Sequence, residues 1–101
     1  MSQRHVDQVM KIHLPPGVKF MLVALAYLAD EKSSQSRVSQ DGLVELTGYS
    51  PTQVQRLLKQ CLAERFLEVL ERKNGAIPTL YRLTLEWALG GAAAERKGGA
   101  S

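Results

Sequence analysis

"YSPTQVQRLLKQCLAERFLEV", residues 49–69, decides how this chain folds. Val54, Leu57, Leu58, Cys61 and Leu62 recur at i, i+3, i+4, i+7 and i+8, the spacing of one buried stripe on an α-helix. Thr52, Gln53, Gln55, Arg56 and Lys59 fall outside that stripe. The start is marked by local chemistry. Ser50 is placed to cap the free N–H groups of the first turn, and Gln53 completes a capping box with it. Pro51 suits the first helical position because its missing N–H would be unpaired there anyway. Tyr49 and Val54 form a hydrophobic staple. These signals predict a helix over Pro51–Ala63, seated by its stripe and polar on its outer side.

The same device stands one step earlier. Ser39 caps, Asp41 suits the positive end of the helix dipole, Val38 packs back on Leu43, and Gly48 stops the helix. Leu43, Val44 and Leu46 are the expected buried face. Before that, Pro16 opens a helix running to about Asp30. Its residues Phe20, Met21, Leu22, Val23, Leu25, Tyr27 and Leu28 are apolar nearly all round, which predicts a central post covered on several sides. "DEKSSQSR", residues 30–37, reads as a polar surface connection. In residues 1–14, Val6, Val9, Met10 and Ile12 fit either an extended or a helical arm, and the sequence does not choose.

From Phe66 the period changes to two, with Phe66, Leu67, Val69 and Leu70 followed by Leu80, Tyr81, Leu83 and Leu85. Lys73, Asn74 and Gly75 are hairpin chemistry, with Ala76 to Pro78 lengthening the loop beyond the tightest turn. Glu68 and Glu71 fall on opposite faces if the alternation holds. "GGAAAERKGGAS", residues 90–101, has little to bury against its ordering cost. The expected organisation is an N-terminal arm (1–14), a domain (15–87) and a disordered tail or linker (88–101).

The chain has 101 residues, 45% of them hydrophobic, which fits one domain. Its 13 Lys and Arg against 10 Asp and Glu give a net charge of +3, compatible with polyanions. Cys61 is the only cysteine, so neither an intrachain disulfide nor a cysteine zinc cluster can form, and a reducing cytoplasm is the expected setting. The apolar run from Phe20 to Ala29 is too short to span a bilayer. No metal site is expected around His5 or His13, and no cofactor or small-molecule substrate is evident. No phosphate loop or nucleophile elbow is present, so an enzyme is not expected.

Helix, connection, short capped helix, tight turn, amphipathic helix and hairpin follow one another in the layout of a winged helix-turn-helix, mainly α with a small β-hairpin (α+β), a three-helix core plus wing. "VSQDGLVELTGYSPTQVQRLLKQCLAERFLEVLERKNGAIPTLYRL", residues 38–83, resembles the winged-helix domains of bacterial and phage replication initiators and transcription regulators. Arg65 stands where that family usually has glycine. The resemblance implies that Pro51–Ala63 is a recognition helix in the DNA major groove and that the hairpin is a wing on adjacent phosphate. Thr52, Gln53, Gln55 and Arg56 are then the base-reading candidates: glutamine pairs two-fold with adenine, arginine with guanine, and threonine touches a thymine methyl. Ser50 suits a phosphate oxygen, Lys59 suits backbone one turn on, and Arg72, Lys73 and Asn74 form the wing tip.

Each assignment has a plainer rival. Gln53 is claimed equally by its capping box, Gln55, Arg56 and Lys59 by an ordinary solvated face, and Arg72 and Lys73 by protection of a strand edge. Cys61 reads as a small core residue, and Tyr27 and Trp87 as packing residues. The resulting expectation is sequence-specific binding of double-stranded DNA in transcription regulation or replication initiation of a bacterium, phage or mobile element. A net charge of +3 calls for a homodimer or a second domain to hold a site at physiological salt, through the arm or the wing edge. The alternative is a winged-helix module that binds protein, suggested by Glu64, Glu68 and Glu71 beside the supposed DNA face. A third reading makes the chain one domain of a longer protein, with the tail as linker.

Overall fold

The computed structural model describes residues 3–88. Their order is α1 (Gln3–Met10), α2 (Pro16–Leu28), β1 (Gln35–Arg37), α3 (Gln40–Thr47), α4 (Pro51–Ala63), β2 (Leu67–Glu71) and β3 (Leu80–Leu83). Residues 86–88 add a helical turn, and the expected tail lies, from residue 89 on, outside the described residues. The architecture is α+β: helices packed around α2 beside a three-stranded antiparallel sheet in the order β1-β3-β2.

The core is one cluster. Met21, Leu22 and Leu25 of α2 are fully buried among Val9, Leu43, Val54 and Cys61, and the sheet adds Leu67, Tyr81 and Leu83. Gly17 matters where α2 meets α4, because a Cβ there would lie 3.1 Å from Leu57 Cδ2. The post is covered on several sides, by α1, α3, α4 and β1, and one strip stays open, where Phe20 is 43% and Tyr27 46% exposed. The post ends at Leu28 rather than Asp30. The Asp30 carboxylate accepts from the N–H groups of Lys32 (3.0 Å) and Ser33 (2.9 Å), a local turn that competes with the helix.

Of the two forms open to the N-terminal segment, the described residues 3–14 take the helical one. His5, Val9 and Ile12 are buried at helical spacing, and α1 packs on α2. Residues 30–37 are more than a surface connection, since β1 pairs with β3 through Gln35↔Arg82, Ser36↔Tyr81 and Arg37↔Leu80. The hairpin is thus two strands of a three-stranded sheet. Leu46, expected to be buried, is 41% exposed at the edge of the short α3.

Both helix stops are explicit in the backbone. Gly48 takes a left-handed conformation (φ 82°) and donates to the Val44 carbonyl at 2.9 Å. At the end of α4, Arg65 occupies the same left-handed region (φ 66°), with its N–H on Leu62 O (3.1 Å) and the Phe66 N–H on Cys61 O (3.0 Å). That pair of bonds is a Schellman motif with arginine where glycine is preferred. Thr84 Oγ1 (2.6 Å) and Trp87 Nε1 (2.7 Å) both donate to the Arg65 carbonyl, and the Trp87 ring stacks on Phe66 at 5.3 Å. The surroundings hold the strained residue in place.

Two details of the hairpin depart from simple alternation. A bulge between Val69 and Glu71 leaves Leu70 as the extra residue, 39% exposed. Glu68 then faces Arg82 and Glu71 faces Leu80, so the two acids share the outer face instead of opposing each other. Reciprocal bonds between Asn74 and Ile77 (3.0 and 2.9 Å) close a tight turn of only Gly75 and Ala76, shorter than the loop expected from Pro78. Gly75 at φ 60° supplies the positive φ that the first position of such a turn requires.

Candidate nucleic-acid interface

The helix α4 spans Pro51–Ala63 and opens with a complete capping box. Ser50 Oγ accepts from the Gln53 N–H at 3.2 Å, and Gln53 Oε1 accepts from the Ser50 N–H at 3.2 Å. Gln53 is half-buried and its amide oxygen is engaged in the cap, which separates it from the other candidates. Val54, Leu58 and Cys61 are buried against the core, with Leu57 and Leu62 packed beside them. Burial, reinforced by the Glu64 charge, pushes the Cys61 thiol up to about 12, so it remains protonated and inert.

Thr52, Gln55, Arg56 and Lys59 are all exposed. At 3.6 residues per turn they fall within an arc of about 100° opposite the buried stripe. Neither Arg56 nor Lys59 is in an ion pair with a carboxylate among the described residues. Gln55 has one neighbour that the sequence reading missed. Its Nε2 donates to Gln40 Oε1 at 3.2 Å, tying α4 to the first residue of α3. The free oxygen and second hydrogen of Gln55 remain available.

Gln40 in turn lines an open cleft of about 550 Å³ between the first turn of α3 and the hairpin, with Ser39, Asp41, Lys73, Gly75 and Ala76 among its walls. Gln40 therefore links the outer face of α4, through Gln55, to a cleft of mixed polar and apolar lining that reaches the hairpin. Lys73 lines that cleft, and Arg72 and Asn74 on either side of it in the chain are exposed. Nothing in the α3 sequence marked Gln40, because its role depends on the crossing of two helices and not on any motif.

Two of the acids beside this surface are neutralised. Arg37 pairs with Glu71 at 2.8 Å and Arg82 with Glu68, leaving Glu64 exposed just past α4 and Asp41 exposed in the cleft wall. Among the described residues no group of His, Cys, Asp and Glu is placed to hold a metal ion, and no helix is long and apolar enough to cross a membrane. No protein-family model, curated protein or solved structure matches the chain.

Proposed function

We propose that the protein binds double-stranded DNA sequence-specifically as a winged helix-turn-helix, with α4 as recognition helix and the β2–β3 hairpin as wing. The observation that carries this reading is the exposed outer face of α4, with Thr52, Gln55, Arg56 and Lys59, linked through Gln40 to a cleft that Lys73 of the hairpin also lines. Gln55 and Arg56 would address base edges and Lys59 and Lys73 phosphates, while the Ser50 hydroxyl, like Gln53, is taken up by the capping box. The role is transcription regulation or replication initiation. A protein-binding module is the weaker reading, because two of the three acids that suggested it are paired with Arg37 and Arg82.

Fluorescence binding to a library of duplexes tests the proposal. The parent protein selects a sequence subset with an affinity that falls as salt rises, and Arg56→Ala and Gln55→Ala each lose that selection. Parent-like binding by both variants with no salt slope sinks it.

A further inference from the structure

The molecule has a second uncovered helix face, and its character is the opposite of α4's. Phe20, Val23, Ala24 and Tyr27 of α2, with Leu46 of α3, enclose an open groove of about 170 Å³ with almost no polar atom in its lining. Phe20, Tyr27 and Leu46 are each more than two-fifths exposed. Phe20 is held by an edge-on contact with Tyr49, ring centroids 5.8 Å apart at 75°. Scattered exposed apolar residues need no explanation, but three large ones around a shared groove make a candidate contact surface.

We propose that this face binds a second copy of the chain, α2 against α2 in antiparallel orientation about a two-fold axis between Val23 and Ala24. The face is self-complementary, as a two-fold contact requires. Phe20 and Tyr27 lie at equal distances either side of that axis, so each Phe20 ring meets the partner's Tyr27. The charges at the ends agree with this orientation. Lys19 lies near the N-terminus of α2, and Asp30 and Glu31 lie just past its C-terminus. Antiparallel pairing brings each Lys19 to the negative end of the partner helix and its two carboxylates, whereas parallel pairing stacks like charges. Lys19 Nζ donates to the Met10 carbonyl at 3.1 Å and keeps two further protons. Arg4 binds the Glu31 carbonyl oxygen at 2.8 Å, which leaves the Glu31 carboxylate outside that bond.

This inference stands on the face itself and does not rest on DNA binding. If the chain binds DNA, pairing supplies the second recognition helix that a net charge of +3 calls for.

Sedimentation of the full chain without DNA, from low micromolar to several hundred micromolar, tests it. A reversible monomer–dimer equilibrium is expected, weakened about tenfold or more by Phe20→Glu and by Tyr27→Glu, with circular dichroism confirming that at least one variant stays folded. Lys19→Glu weakens the dimer, and adding Glu31→Lys to it, which leaves the Asp30 turn intact, restores affinity. A parent that sediments as a monomer throughout, or a folded variant that dimerises like the parent, overturns the interface. Failure of the charge swap to restore dimerisation overturns the antiparallel arrangement. Because no duplex is present, these outcomes are independent of the groove assignment.

Discussion

Two helices of equal length, α2 and α4, each open on a proline, bury one side in the same core and leave the other side uncovered. On α4 the uncovered side carries a hydroxyl, an amide, a guanidinium and an ammonium. On α2 it carries two aromatic rings and a valine. The contrast separates seating from surface chemistry: both helices are held by apolar residues in one core, while their uncovered sides differ, polar and cationic on α4 and apolar on α2. On the proposed readings a polyanion would meet the first and a second copy of the chain the second.

The harshest way to break this comparison is to remove the seat. Leu58 is 4% exposed on α4, and Leu58→Ala is expected to destabilise the fold by about 2–5 kcal/mol in urea unfolding, disabling both faces together because they share one core. Arg56→Ala sharpens it instead. It should leave the unfolding midpoint and sedimentation unchanged and weaken the preferred duplex by about 1–3 kcal/mol. Equal loss on every sequence would instead identify Arg56 as a phosphate contact.

A smaller effect, of opposite sign, is expected where α4 ends. Arg65→Gly removes a side chain from the left-handed region and should stabilise the protein by up to about 1 kcal/mol in denaturant titration, since the capping bonds use only backbone groups. The mildest test concerns the back of α2. His5 is buried in α1 with Nε2 2.7 Å from Ser34 Oγ, and burial, aided by Arg4 and opposed by Glu31 and Asp30, lowers its pKa from the ordinary 6.5. The unfolded chain then takes up a proton on His5 before the folded chain does. Stability falls as pH drops below about 6.5 and levels off once the folded His5 is also protonated. Thermal melts of the parent should show this acid sensitivity, and His5→Gln should flatten it.

The chain announced α3 and α4 plainly because caps are local: Ser39, Ser50, Gln53 and Gly48 act within a few residues of their own positions. What depends on distant partners was hidden. The strand β1 is Gln35, Ser36 and Arg37, with no apolar alternation, and exists only because β3 offers it an edge. The bulge at Leu70 changed which acids share a face, and nothing local marks it. Phe20, Tyr27 and Leu46 looked like core because apolarity shows what a residue tolerates, not what covers it. In α1 the buried stripe includes His5, a residue that obscured the helical period. At the candidate interface the outer residues of α4 were legible, and Gln40 was not.

The amide pair between Gln40 and Gln55 bears on how a ligand would be met. A free glutamine side chain surrenders up to about 1.5–2 kcal/mol of rotamer freedom when it is fixed. Gln55 is bonded to its neighbour in the folded chain, so part of that ordering precedes any partner. On the DNA reading, its remaining donor and acceptor meet adenine already aimed, and Gln40→Ala would blunt recognition without touching the groove.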